Sequence, residues 1–145
     1  MEIATIGFTQ SSAEHFFERL HAANIRRLLD IRLNNGSQLA GFAKSADLAY
    51  FLDKICGSKC EHDLRLAPTP DLLAEYRNKR VTWAEYESHF GKLMEEREMP
   101  SALDRASFDR AKTVLLCSEA KPDYCHRRLV AELLERSWHA DVEHL

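Results

Sequence analysis

The chain reads as an α/β protein: a single three-layer, Rossmann-like domain with a mainly parallel sheet. Three observations predict this. Short apolar runs alternate with longer segments of helical spacing along the whole sequence, which is how strands and crossover helices of a layered α/β fold are written. The 145 residues suffice for one hydrophobic core, and no repeat, low-complexity tract or Gly/Ser-rich linker divides them, so the domain is expected to span residues 1–145. The clearest apolar runs also stop abruptly at polar loops, and in open parallel sheets the loops beyond the carboxyl ends of the strands carry the ligand site.

The elements follow in order. Ile3–Ile6 is a short first strand ended by Gly7. Ser11 with Glu14 three residues on forms a capping-box pattern, and Phe16, Phe17 and Leu20 then share one helical face. Leu28, Leu29 and Ile31 form a compact buried strand with Asp30 and Arg32 at its end. Asn34–Ser37 is a turn by composition, and Leu39–Lys44 an irregular loop. Ser45 is expected to cap a helix carrying Leu48, Phe51, Leu52 and Ile55, which Gly57 stops. Lys59–Leu66 alternates Cys60, His62, Leu64 and Leu66 and reads as a weaker strand, before Pro68 and Pro70 fix a bend. Asp71–Arg77 is helical. Thr82 and Glu85 make a second capping box, leading a helix with Trp83, Tyr86, Phe90, Leu93 and Met94 that Pro100 ends. Phe108 belongs to a short helical turn, Lys112–Leu116 to a strand, Leu129, Val130, Leu133 and Leu134 to a last helix, and Val142–Leu145 to a terminal strand. Phe90, Trp83, Trp138 and His144 read as core or sheet-end packing.

Composition narrows the function. The formal charge of −3 provides no global basic field, so nucleic-acid binding would need a local patch of Arg and Lys. No run approaches the roughly 20 apolar residues of a membrane span. Met1–Thr5 lacks a basic segment followed by an apolar one, so no export signal is expected. The four cysteines then read as reduced thiols in a cytoplasmic protein.

Three loops follow predicted strands and carry polar groups: Gly7–Ser11, including Thr9; Arg32–Lys44; and Cys117–Arg127. They are expected to converge. The third is the densest in chemistry, with Cys117, Glu119, Cys125, His126, Arg127 and Arg128 between the end of a strand and the first turn of a helix. A helix N-terminus there favours an anion and lowers the pKa of a cysteine.

These residues carry a resemblance. Ile6-Gly7, Asp30-Ile31-Arg32, Ser37, Gly41-Phe42-Ala43-Lys44, Cys117-Ser118-Glu119 and Cys125-His126-Arg127 resemble, almost end to end, the pattern of the family catalogued as domain of unknown function 488. The segment Arg32-Leu33-Asn34-Asn35-Gly36-Ser37-Gln38-Leu39-Ala40-Gly41-Phe42 looks like a distinct branch, since many relatives carry a proline before the serine. The resemblance implies a compact α/β fold. It implies no established reaction, and its motif residues are inferred to line a common site.

Each candidate has two readings. Cys125 is either a nucleophile beside His126 and Arg127 or a small residue packing the helix start. Cys117 sits where catalytic groups often do, at a strand end, or is a core residue. The Cys-x5-Arg phosphatase loop does not fit, because residue 123 is Asp; the glycine-rich loop of a sulfurtransferase is also absent. Glu119 and His126 form an acid–base pair, or Glu119 only neutralises Arg32 or Arg127. Arg32, Lys44, Arg127 and Arg128 either hold phosphate, with Ser37, Gly7 and Thr9 beside them, or include one or two solvated surface charges with no role. Cys117, Cys125 and His126, with Cys56, Cys60 or His62, contain zinc-type ligands. However, no familiar Cys-x-x-Cys spacing is present, so no metal or other cofactor is predicted. The expected partner is a phosphate-bearing ligand, a nucleotide or a nucleic acid. Two functions fit: an enzyme in which Cys125 or Glu119 works with His126, or a binding module in which the Cys/Glu/His/Arg cluster is structural.

Overall fold

Residues 1–36 and 40–145 are described by the structure, a computed structural model of the chain. Among them, five strands form one parallel sheet: β1 (Glu2–Gly7), β2 (Arg27–Asp30), β3 (Lys59–His62), β4 (Thr113–Cys117) and β5 (Asp141–His144). The order is β3-β2-β4-β1-β5. The inner strands β2, β4 and β1 hold the apolar runs and are buried along nearly all their length. The edge strands β3 and β5 are charged and mostly exposed, which blunts the unpaired sheet edges.

Six α-helices cover the two faces of the sheet among the described residues: α1 (Ala13–Ala22), α2 (Ser45–Phe51), α3 (Pro70–Arg77), α4 (Trp83–Glu96), α5 (Arg105–Arg110) and α6 (His126–Trp138). Alternation along the strands sorts the core. Ala4, Ile6, Leu28, Val114 and Leu116 face Phe16, Phe17, Leu20, Leu48 and Leu52 of α1 and the α2 segment. Ile3, Leu29 and Leu115 face Leu72, Tyr86, Phe90, Phe108 and Val130 from the other four helices. Crossovers toward the β3 edge use the first face and those toward the β5 edge use the second, as connections of a single hand require. β4 therefore leaves the sheet toward one face while its neighbours β1 and β2 leave toward the other. That divergence opens a crevice at the carboxyl ends of β1, β4 and β2.

Four local expectations shift. The cap of α1 is Ser12, whose Oγ accepts the His15 N–H at 3.1 Å, not Ser11. The chain turns at Thr9–Gln10 with Gln10 at φ 57°, which delays the helix by one residue. Ser45 lies inside α2 rather than capping it; the helix continues as a π turn, Leu52–Cys56, and Gly57 closes it at φ 61°. The strand read over Lys59–Leu66 pairs only as far as His62. Asp63 then caps a tight 3₁₀ turn by accepting the Arg65 N–H at 3.0 Å. The terminal strand is Asp141–His144, one residue earlier than read. The Thr82 cap stands, accepting the Glu85 N–H at 3.2 Å. Among the described residues no helix is long and apolar enough to cross a membrane.

Candidate functional site

Cys117 is the last residue of β4, in register with Gly7 of β1, and its thiol is buried. The chain then loops to Cys125, which takes extended backbone as the N-cap of α6 and makes no side-chain cap bond. His126 follows in the first turn and is 6% exposed. Its Nε2 lies 2.7 Å from the carbonyl oxygen of Ile31. A carbonyl only accepts, so Nε2 carries a proton, and in the neutral ring Nδ1 is the nitrogen that keeps a lone pair. The Cys117 Sγ sits 3.6 Å from that Nδ1 and 3.9 Å from Nε2. The ligand atoms of Cys117, Cys125 and His126 all lie within 4.8 Å of one another.

The two thiols are electrically unequal. The Cys125 thiol donates to Cys117, and with the Ser118 N–H and the nearby Arg127 charge this holds Cys117 below the ordinary thiol value despite its burial. Cys125 is pushed well above it, by Cys117 and by burial. The Tyr86 phenol is likewise driven upward, first by burial and then by charge on the two cysteines. It therefore remains a hydroxyl donor facing the cluster.

Arg127 holds this loop in place. It is fully buried, and its guanidinium donates to the carbonyl of Glu119 and, at 3.2 Å, to that of Ala120. Thr9 fastens the other side: its N–H and hydroxyl reach the Ser118 carbonyl at 3.1 and 2.8 Å. Gly7 is needed beneath, because a Cβ there would lie 1.7 Å from the Glu119 carbonyl oxygen and 2.8 Å from Arg127 Nη1. Arg32, 2% exposed, makes a bidentate pair with Asp30 at 2.9 and 2.8 Å and donates to the Ala43 carbonyl at 2.7 Å. Its guanidinium also lies over the Phe8 ring at 5.1 Å.

A cavity of about 390 Å³ opens above the cluster. Cys117, Ser118, Glu119, Cys125 and His126 are part of its lining, with Thr9 and Arg32 from the other two loops. The three loops thus converge. The lining does not include Gly7, Lys44 or Arg127 among the described residues: Gly7 and Arg127 lie behind the wall as packing and clamp, and Lys44 is exposed. Ser37 falls outside the described residues. One wall was not legible from sequence. Tyr76, Arg77, Trp83 and Tyr86, from α3 and α4, and Tyr124 also line the cavity. Their rings are in sequence contact, with centroids 5.1 Å apart for Trp83–Tyr86, 5.5 Å for Tyr76–Trp83 and 5.7 Å for Trp83–Tyr124. Trp83 is therefore a wall residue as well as a packing one. His144 is exposed on the edge strand, its Nδ1 2.6 Å from the Thr5 hydroxyl.

Fold and site together define a one-sheet α/β protein with two thiols and an imidazole at the floor of an aromatic cavity. The chain matches the family model described as Domain of unknown function DUF488 over residues 12–134, and it belongs to that family. No curated protein and no solved structure matches it.

Proposed function

We propose that the chain is a cytoplasmic enzyme acting on a phosphate-bearing substrate with a flat ring, a nucleotide or a nucleic-acid end. The observation that carries this reading is the composition of the cavity. Aromatic faces of Trp83, Tyr76 and Tyr124 stand beside the Arg32 and Arg77 guanidiniums, over a floor of Cys117, Cys125 and His126. Rings stack on such faces, and arginine recognises phosphate oxygens. Arg32 is held rigid by Asp30, so little entropy is lost when it meets an anion. The site lies at the switch in strand order, where open α/β sheets bind ligands. Cys117, His126 and Glu119 are the groups assigned to chemistry.

The binding-module reading rests on a separate observation: Arg32 and Arg127 are both engaged inside the protein, Arg32 through three hydrogen bonds to Asp30 and Ala43 and Arg127 through bonds to the Glu119 and Ala120 carbonyls, as structural members of the cluster would be. Titration with adenosine monophosphate and with a short single-stranded oligonucleotide, read by Trp83 fluorescence in a Trp138→Phe background, tests both. Saturable quenching is expected. Trp83→Ala should weaken binding, measured by calorimetry, roughly tenfold or more, from a stacking contribution of about 1–3 kcal/mol. Cys117→Ser that binds but does not turn over the ligand supports the enzyme. Binding with no turnover by either protein supports the module. No saturable binding by the folded wild type refutes both.

A further inference from the structure

We infer that Cys117, Cys125 and His126 hold a divalent transition metal of the zinc class, with its fourth coordination position open to the cavity. The inference rests on the site proposed above and names its chemistry.

The ligand set is the first ground. Two thiolates and one imidazole suit zinc, and three protein ligands with an open position are the pattern of catalytic rather than structural zinc. Geometry is the second. With Zn–S near 2.3 Å and Zn–N near 2.0–2.1 Å, a tetrahedral S···N edge is about 3.6 Å. The Cys117 Sγ lies 3.6 Å from His126 Nδ1 but also 3.9 Å from Nε2, so it rests beside the ring and the Cys117 side chain would have to turn to meet a metal on Nδ1. All three ligand atoms fall within 4.8 Å, close enough for such an adjustment to gather them. The third ground lies outside the ligands. A metal-binding histidine commonly donates its other ring N–H to a carbonyl or carboxylate, which fixes its tautomer and direction. Here Nε2 is bound to the Ile31 carbonyl at 2.7 Å, so Nδ1 is the nitrogen left for a metal. The Cys125 sulfur is turned to Cys117 and His126 rather than to the helix end, where it makes no cap bond.

The surroundings suit a metal too. Strand end and helix start are rigid, and Arg127 and Thr9 fasten the loop between them. Two thiolates bring two negative charges into a buried place. The ion offsets these, with a smaller contribution from the Arg127 charge. Tyr86 and Glu119 line the cavity around the open side, where water or an oxygen of an anionic substrate would coordinate. A metal in that position acts as a Lewis acid toward that oxygen.

The test uses the full-length chain, stripped with a chelator and titrated with Co²⁺ alone, followed by calorimetry with Zn²⁺. One equivalent of Co²⁺ should bind with the intense visible bands of a tetrahedral site and near-ultraviolet thiolate-to-cobalt charge transfer. Cys117→Ser and Cys125→Ser should each lose the charge-transfer intensity and weaken Zn²⁺ binding at least a hundredfold. Cys56→Ser and Cys60→Ser should leave both unchanged. Circular dichroism identifies any variant that does not fold, and in that case alkylation of the folded wild type replaces it: bound Zn²⁺ should protect Cys117 and Cys125 but not Cys60. A folded wild type that takes up no Co²⁺, or metal binding that persists without Cys117 and Cys125, overturns the inference. Nucleotide titration of the same apo and Zn²⁺-loaded samples separates the two proposals. Nucleotide binding without metal uptake removes only the metal, and metal uptake without nucleotide binding removes only the substrate class.

Discussion

Replacing Gly7 by alanine should disturb the site without touching any of its chemical groups. The added methyl would stand 1.7 Å from the Glu119 carbonyl oxygen, 2.6 Å from its carbon and 2.8 Å from Arg127 Nη1. Two of these three are backbone atoms, so no side-chain rotation relieves the clash. The loop from Ser118 to Tyr124 would have to retreat by more than an ångström from β1. Overpacking of a tight core position costs about 1–3 kcal/mol. The retreat also breaks the hydrogen bond from the buried Arg127 guanidinium to the Glu119 carbonyl, and bonds of charged groups are worth about 1.5–3 kcal/mol. A loss of about 3–5 kcal/mol is therefore expected, equivalent to roughly 10 °C in melting temperature for a chain of this size. Urea unfolding at fixed pH measures it, with Gly91→Ala as the contrast. Gly91 lies exposed within α4 with nothing near its would-be Cβ, and alanine there should stabilise by about 0.5–1 kcal/mol. A Gly7→Ala protein within about 1 kcal/mol of wild type would refute the claim that the loop is clamped between Gly7 and Arg127.

Two more perturbations test other supports of the site. Asp30→Ala should cost about 3–5 kcal/mol in denaturant unfolding, because it leaves the Arg32 cation, 2% exposed, without its only carboxylate partner among the described residues; a change under 1 kcal/mol would mean the pair is not needed. Although His144 is exposed overall, partial desolvation of its ring against the sheet, and then the Arg127 and Arg128 charges, hold it below its ordinary value. The folded state therefore binds its proton less readily than the unfolded one. Its contribution is complete above the unfolded value of about 6.5 and is lost as the pH falls below it. Melting temperatures measured from about pH 7.5 to 5 should decline less in His144→Gln than in wild type; parallel curves would show that His144 does not carry this dependence.

The strand–helix alternation was legible because each inner strand is a short apolar run and each helix has a three-to-four spacing. Errors fell where one polar residue could serve two purposes. Ser11 and Ser12 both satisfy the cap rule, and only the turn at Gln10 chooses between them. Leu64 and Leu66 continue the alternation of β3, but Asp63 binds the Arg65 N–H and ends pairing. The convergence of the three loops followed from strand ends alone. Which arginines reach the cavity did not. Arg127 is fully buried, a rare position for an arginine, and nothing in Cys125-His126-Arg127 distinguishes a ligand-facing guanidinium from one that clamps carbonyls. The aromatic wall escaped notice because Trp83, Tyr86 and Phe90 read as one apolar helical face, and periodicity does not show that its N-terminal end borders a cavity. Cys117, Cys125 and His126 were recognisable as zinc-type ligands, but their spacing follows no familiar motif, so the sequence did not show that the three come together without Cys56, Cys60 or His62. The thiols meet only because a strand end and a helix start are neighbours in space.

The most direct test of the account is a crystal structure of the chain with adenosine monophosphate. The account predicts the base against Trp83 and Tyr124 and the phosphate within hydrogen-bond reach of Arg32 or Arg77, over Cys117 and His126. A nucleotide seated elsewhere, such as the apolar groove between Phe17, Phe42 and Phe51, or a cavity left without it at saturating concentration, would contradict it.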